Sequence, residues 1–360
     1  MAHGLLYGAS FTKGVLSFTD KQGRTICNAD FRNYLTLTAT SDNSSVKLTM
    51  VGTLSNKFEV NVGNGWKGYN FGTVIPLKAG QSCKWRCSAH PTTQSARNYV
   101  KFVMTGTIEA SGNCNSMLNS DFENLTSLTG YDYAFCGLFR NCTSLTKAPI
   151  LPATILASSC YASMFSECTS LVNAHELPAT TLASSCYTSM FYECKSLVIA
   201  PELPATTLSE NCYRAMFYGC EALTQAPSLP ATTLANSCYY DMFRGCIALT
   251  RSPELPATTL ESFCYYFMFS SCASLTQAPS LPATTLANFC YYNMFNGCSK
   301  LKEVRIAATT TTATNALNNW LDNVSATGNF YCDPSVNYPT GASGIPEGWT
   351  RLPLSDYPTT

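Results

Sequence analysis

A 26-residue period runs through the middle of the chain and constrains its fold more than any other feature. Twelve of the 19 cysteines fall on two series that step by 26, and six Met-Phe pairs step with them. Neighbours in such a series are expected to stack, because one unit cannot bury its apolar side chains alone. The candidate core columns are Cys160, Cys186, Cys212, Cys238, Cys264, Cys290, Met164, Met190, Met216, Met242, Met268 and Met294.

Within one unit, the apolar residues Leu234, Cys238, Met242 and Cys246 are spaced by four, which predicts a short helix. The segment that follows, residues 249–255, contains proline and predicts a short extended strand before the chain turns back. A degenerate unit that ends at Cys142 brings the number of units to seven. The sequence therefore predicts an α+β fold, in which an antiparallel β-sandwich precedes a leucine-rich-repeat solenoid of seven ~26-residue units and a C-terminal cap.

The regions on either side of the repeats have a different character. Segments 34–38, 46–51, 58–62, 69–77 and 99–108 are rich in Val, Thr, Phe and Tyr and alternate with Gly/Asn turns, which predicts about eight sandwich strands. After the repeats, one apolar helical face is expected to close the stack: Ala313, Leu317, Trp320, Leu321 and Val324. The predicted domains are residues 1–30 (strands or a docking arm), 31–112 (sandwich), 113–300 (repeats) and 301–360 (cap and tail).

The cysteines admit three interpretations. Cys160 and Cys168 lie eight residues apart, too far along a helix to bridge, although equivalent cysteines of adjacent units are close enough for a disulfide by distance alone. Zinc is disfavoured, because the spacing never gives paired ligand clusters. Buried, reduced thiols that pack as small apolar groups are the favoured interpretation. Cys83 and Cys87 would share one face of a strand, and a disulfide or metal there stays open beside simple packing.

Charge is sparse, since 22 basic residues balance 22 acidic ones in 360 residues. This balance argues against a nucleic-acid partner. No apolar run reaches the ~18–20 residues that cross a bilayer, so no membrane span is expected. The start, MAHGLLYGAS, lacks the basic and apolar segments of a secretory signal, which predicts a chain that is not exported by that route or is already trimmed.

No catalytic constellation stands out. The chain has no P-loop and no GxGxxG fingerprint. His175 replaces a proline of other units, and Ser228 and Ser280 interrupt the one recurring glutamate position. The remaining acid–base candidates are His3, His90, His175, Glu176, Glu202 and Glu254. We predict no catalytic residue, no metal and no cofactor.

Positions that vary between units are the best binding candidates, because they can change without harming the core. Two such columns are mostly polar or aromatic, and low-charge aromatic surfaces suit sugars or proteins. A packing role for the tyrosines, covering one side of each unit, is the competing interpretation. The candidate ligand-binding residues are Lys147, Asn173, Gln225, Arg251 and Gln277 in one column, and Arg214, Tyr240, Tyr266 and Tyr292 in the other.

The repeat pattern CYxxMFxGCxSLTxAPxLPATTL, as in residues 290–301 and 272–286, resembles the BspA-like leucine-rich repeats. These occur in surface proteins of anaerobic gut and oral bacteria and in proteins encoded by their phages. The resemblance covers roughly residues 131–301 and implies a curved, non-enzymatic solenoid that binds proteins or glycans.

With the missing export signal, this resemblance favours a bacteriophage virion component, such as a fibre, tail or capsid decoration. The protein would assemble in the host cytoplasm and be exposed extracellularly. The repeats would attach to host-surface or mucosal protein or glycan, and the N-terminal region would contact other virion proteins. Analogy with phage appendages predicts a homotrimer. A bacterial cell-surface adhesin and, less favoured, a carbohydrate-active enzyme are the alternatives.

Overall fold

The computed structural model describes residues 8–12, 15–19, 25–30, 32–88 and 95–357, the first three of these as backbone only. About 3% of the chain is helical, all of it in three short 3-10 segments, and the described residues form no α-helix. The 3-10 segments are Cys114–Met117, Phe122–Asn124 and Leu354–Asp356. The predicted α+β fold, with its helix-containing leucine-rich-repeat solenoid, is therefore wrong, and the chain is almost entirely β and turn.

The chain begins with a separate antiparallel meander of three strands in the order β1-β2-β3. Its register pairs Gly8 with Thr19 and Val15 with Asp30. The strands are β1 Gly8–Thr12, β2 Val15–Thr19 and β3 Thr25–Asp30.

Two further sheets pack face to face around one core. The larger sheet has the order β12-β11-β4-β9-β6-β7 and the smaller one β10-β5-β8. Alternating side chains point inward, as the pleat of a strand requires, and Trp85 of β9 meets Phe102 of β10 with ring centroids 5.1 Å apart. The strands are β4 Leu35–Ala39, β5 Ser44–Val51, β6 Phe58–Asn61, β7 Trp66–Gly68, β8 Ile75–Leu77, β9 Ser82–Cys87, β10 Tyr99–Thr105, β11 Ile108–Ser111 and β12 Leu145–Lys147.

The larger sheet continues into the repeats. Strand β12 belongs to the first repeat and pairs in parallel with β11, matching Ile108 with Leu145. Single parallel bridges then join Lys147 to Asn173, Asn173 to Ile199 and Ile199 to Gln225. One backbone ladder therefore runs from the sandwich into the stacked repeats.

At the far end, this parallel pairing widens into a four-stranded sheet in the order β13-β14-β15-β16. Its registers include Ser280 with Arg305 and Val304 with Phe330. The strands are β13 Ser280–Leu281, β14 Glu303–Ile306, β15 Gly328–Cys332 and β16 Trp349–Pro353. Pro353 at the end of β16 has no N–H, which blunts the open edge of this sheet.

The segment predicted as a helix in each repeat is a row of four-residue turns. In one repeat, Asn211, Ala215 and Gly219 have φ of 54°, 51° and 68°, so every fourth residue is left-handed. Backbone N–H groups alternate in direction: Met216 donates back to Tyr213 at 3.2 Å, and the next residue donates to the carbonyl of Met242, one repeat on, at 2.9 Å. An α-helix would keep all these bonds inside one repeat, whereas this arrangement gives half of them to the neighbour.

Eight such turn segments stack, and we number them coils 1 to 8. The left-handed positions recur at intervals of 26, from Tyr133 to Asn315. The coils are residues 133–142, 159–168, 185–194, 211–220, 237–246, 263–272, 289–298 and 315–324.

The predicted C-terminal cap helix is also wrong, because its residues form coil 8. Asn315, Asn319 and Asn323 are left-handed, and Tyr291 of coil 7 donates to the carbonyl of Ala316 at 3.0 Å. A loop of the tail covers the side of coil 8 that faces away from coil 7. There the Trp320 indole N–H donates to the carbonyl of Gly344 at 3.1 Å. Trp320 itself is fully buried.

Columns of identical side chains fill the interior of the stack. The cysteines and methionines of the two predicted core columns are fully buried. Phenylalanine rings from Phe139 to Phe295 stack with centroids 5.5–5.7 Å apart. Burying one Met or Phe side chain contributes about 1.5–3 kcal/mol, so packing across coils outweighs the cost of the left-handed residues.

The second cysteine series has a bonding role as well as a packing role. The thiol of Cys220 donates to the backbone carbonyl of Phe191, in the preceding coil, at 3.1 Å, and its five equivalents make the same bond. A small apolar side chain with one weak donor fits this site, which a valine or alanine would leave without a donor.

Candidate binding surface

The first predicted column lies on the parallel ladder. Lys147, Asn173, Gln225, Arg251 and Gln277 are all exposed, and we refer to these five residues as the ladder row. Parallel bridges connect Lys147, Asn173 and Gln225 through Ile199. The structure thus brings Lys147, Asn173 and Gln225 into one file across four repeats.

The C-terminal tail covers one end of the ladder row. The Gln277 side-chain amide donates to Glu303 Oε1 at 3.0 Å and to the Tyr357 hydroxyl at 2.8 Å. The Arg305 guanidinium lies 4.9 Å from the centroid of the Tyr357 ring. Gln277 is therefore engaged within the chain and is the weakest binding candidate of the row.

The second predicted column forms a continuous stack on the turn segments. The Arg214 guanidinium lies 4.5 Å from the centroid of the Tyr240 ring. The rings of Tyr240, Tyr266 and Tyr292 follow with centroid separations of 4.6 and 4.7 Å. Because inner ring faces cover one another, this stack presents ring edges and hydroxyls to solvent rather than open faces.

Sequence reasoning missed three phenylalanines and an arginine beside this stack. Phe263 and Phe289 stack at 4.7 Å, and Arg244 lies 4.5 Å from the Phe267 ring centroid. The signal for Phe263 and Phe289 was present in the sequence, since these two residues lie 26 residues apart. The name aromatic ridge is used below for Arg214, Tyr240, Arg244, Phe263, Tyr266, Phe267, Phe289 and Tyr292.

Asp241 orients Arg244 of the aromatic ridge. Its carboxylate accepts a hydrogen bond from Arg244 at 3.3 Å. Burial raises the pKa of Asp241, although Arg244 opposes this shift. The aromatic ridge lies on the coils, whereas the ladder row lies in the extended segment that follows each coil. The structure therefore does not join the two predicted columns into one site.

A cavity of about 600 Å³ lies at the corner of coils 1 to 3. Glu167 meets Arg140 at 3.6 Å, and Lys195 meets Glu221 at 2.8 Å and Glu193 at 3.5 Å. We name this space the corner cavity, and it is lined by Asn141, Thr143, Glu167, Thr169, Tyr192, Glu193 and Lys195. Its residues come from three repeats, so no single sequence motif predicted the cavity.

A second cavity, of about 440 Å³, lies in the sandwich. It includes the exposed side chain of Val62 and the turn at Gly63. Its lining is Asn61, Val62, Gly63, Pro76, Leu77, Gln81, Ser82 and Lys84.

Among the cysteines whose side chains the structure describes, all except half-buried Cys136 are buried thiols. Burial raises the pKa of Cys186 and of Cys238 to about 12, so these groups stay protonated and are poor nucleophiles. Cys83 and Cys87 are buried on the inner face of β9, and burial raises the pKa of Cys83 to about 12. Across residues 32–88 and 95–357, no three His, Cys, Asp or Glu side chains gather as a metal site would require.

The predicted acid–base candidates do not form a catalytic group in the described part of the chain. His175 is half-buried, and burial, followed by the charge of Lys147, lowers its pKa. Glu202 accepts from the backbone N–H of Ser228 at 3.4 Å. His3 and His90 lie outside the described residues.

No family model, no curated protein and no solved structure matches this chain. Over the residues that the structure describes, no helix has the length and apolar character to span a membrane.

Proposed function

We propose that the chain is a non-catalytic binding protein, and that its stacked coils present the aromatic ridge to a protein or glycan on a host or mucosal surface. The observation that carries this proposal is the unbroken file of Arg214, Tyr240, Tyr266 and Tyr292 across four coils. Aromatic and arginine side chains are the residues that dominate binding energy at protein surfaces.

The ridge is unusual for a surface that only covers a core. Each of coils 2 to 7 already has a buried tyrosine, such as Tyr239 and Tyr265, with about 1% exposure. The ridge tyrosines lie one residue further along and are only half-buried. A second layer of stacked rings therefore remains at the surface after the core is complete.

The virion setting is proposed from the resemblance of the repeats to those of phage-encoded proteins. In that setting the N-terminal region would contact other virion proteins, and the chain would assemble as a homotrimer. Mass spectrometry of purified phage particles tests the first point, and light scattering of the full chain tests the second. Absence of the chain from particles, or a monomer at all concentrations, would reject the corresponding point.

Binding to immobilised mucin and to intact gut bacteria tests the ridge. We expect Tyr266→Ser to weaken binding about ten-fold, since a central aromatic residue of an interface contributes on the order of 1–2 kcal/mol. Thr224→Ser, at an exposed position outside both predicted columns, is the control and should bind normally. Equal binding by both variants, or no binding by the unaltered chain, would contradict the proposed role of the ridge.

A further inference from the structure

The corner cavity has the size of a small-molecule site. Its volume of about 600 Å³ falls within the range typical of ligand pockets. Its lining residues belong to coils 1 to 3 and the residues just after them. The aromatic ridge begins beyond this wall, where its Arg244 lies 5.7 Å from the centroid of the Tyr218 ring.

One wall of the cavity has an aromatic ring with one uncovered face. Tyr192 stacks on Tyr218 of coil 4, with centroids 4.7 Å apart and planes within 10°. On the other side, the equivalent residue of coil 2 is Ser166, whose buried side chain is too short to cover the ring. Tyr192 therefore turns one electron-rich face toward coil 2 and the cavity that it lines.

Two carboxylates occupy a backbone position that suits other residues better. Glu167 and Glu193 are left-handed, with φ of 62° and 56°. The same column holds residues that adopt this conformation more easily. Those residues are Asn141, Gly219, Gly245, Gly297 and Asn323.

The two carboxylates turn away from each other. With its amide nitrogen toward coil 2, the Asn141 side chain donates to Glu167 at 3.0 Å, which places this carboxylate on the coil 1 side. Glu193 lies against Gly219 of coil 4, where an added Cβ would meet its Oε1 at 2.7 Å. The space between them, in front of Tyr192, remains open.

The charges around the cavity nearly cancel. Glu167 is paired with Arg140, and Lys195 is shared by Glu193 and Glu221. Partial burial, with Tyr218 and Glu193 nearby, raises the pKa of Tyr192, so its hydroxyl stays protonated and can donate. The cavity thus offers one ring face, carboxylate acceptors and amide and ammonium donors, with a slight excess of negative charge.

We propose that the corner cavity binds one pyranose ring of a neutral glycan. The apolar C–H face of the sugar packs on the open face of Tyr192, and its hydroxyls donate to Glu167 and Glu193 and accept from Asn141 and Lys195. The slight negative excess disfavours acidic sugars. This site rests on the proposed binding function but uses residues separate from the ridge.

Saturation-transfer NMR with the full chain tests the site. The probes are the methyl glycosides of galactose, N-acetylgalactosamine, glucose and mannose, with N-acetylneuraminic acid as the acidic contrast. We expect transfer to the ring protons of at least one neutral sugar and none to the acidic one. Failure of every neutral sugar, or preference for the acidic sugar, would overturn the proposal.

Variants at Tyr192 separate the ring from its hydroxyl. Tyr192→Ala should raise the dissociation constant about ten-fold, which corresponds to the upper end of the binding free energy that one aromatic contact contributes. Tyr192→Phe keeps the ring face and should bind within about two- to three-fold of the unaltered chain. Unchanged affinity in Tyr192→Ala would overturn the proposal.

Glu193→Gly distinguishes a ligand contact from a structural role. Glycine is favoured at this left-handed position, and Lys195 keeps Glu221 as a partner. We expect weaker sugar binding together with a higher melting temperature, whereas a structural carboxylate would give a lower one. Tyr266→Ser is measured in the same assay: sugar binding that is lost there but kept in Tyr192→Ala would place the sugar on the ridge and overturn the cavity site, so that failure of the ridge and failure of the cavity are read separately.

Discussion

Substitutions at Asn315 give opposite results for a turn and for a helix. The residue is exposed and has φ of 51°, so replacing it changes the backbone preference far more than the packing. A non-glycine residue in the left-handed region costs about 1–2 kcal/mol, and asparagine is among the residues that tolerate it. Asn315→Ala should therefore lower the free energy of unfolding by about 1 kcal/mol, and Asn315→Gly should leave it unchanged or raise it slightly.

An α-helix over residues 313–324 would reverse that order. Alanine is a better helix former than asparagine by about 0.6 kcal/mol, and glycine is a worse helix former than asparagine. Asn319 has the same conformation, with φ of 51°, so the double alanine variant should lose about 2 kcal/mol where a helix would gain about 1 kcal/mol.

Peptide-level hydrogen exchange measures the opening free energy of coil 8 directly, which avoids assuming one cooperative transition for a repeat array. Urea unfolding monitored by circular dichroism gives the global value. Thr314→Ala, at an exposed neighbour without left-handed φ, is the matched control. Stabilisation by alanine with destabilisation by glycine at Asn315 would refute the turn geometry.

Three further outcomes follow from the stack. Phe217→Ala, in the buried ring column, should cost about 3–5 kcal/mol in urea unfolding, against less than about 1 kcal/mol for half-buried Tyr218→Ala; equal losses would contradict the burial argument. Burial raises the pKa of thiols such as Cys186 and Cys238 from 9.0 to about 12. The protonated thiols therefore stabilise the folded chain fully below pH 9, and this stabilisation is lost as the pH rises toward 12. A urea midpoint that stays constant from pH 8 to 10.5 would be inconsistent with this. In the native chain a maleimide should label half-buried Cys136 before fully buried Cys160, and faster labelling of Cys160 would disprove its burial.

The 26-residue period is visible in the sequence, and residues one period apart are neighbours, as the stacked rings of Phe191 and Phe217 show, with centroids 5.6 Å apart. The local conformation was predicted wrongly, because a spacing of four apolar residues fits both an α-helix and a row of four-residue turns. The discriminating signal was Gly219, Gly245 and Gly297 at one position of the unit, together with the asparagines of coil 8. Glycine and asparagine are poor helix-interior residues but tolerate left-handed backbone.

The surface was predictable only in part. The column from Arg214 to Tyr292 could be read from the sequence, since all its members share one position in the unit. The covering of ring faces by stacking could not, because it depends on the distance between coils. The corner cavity was invisible, since it needs Asn141, Glu167 and Tyr192 to converge from three repeats.

Because the backbone N–H groups alternate in direction, the stack of coils can gain or lose residues only in multiples of 26. Removing 26 consecutive residues between coils 3 and 6 leaves every donor opposite an equivalent carbonyl, whereas a loss of one residue more or fewer turns each outward donor inward. The number of coils can therefore change only in whole repeats while the contacts between neighbouring coils stay the same.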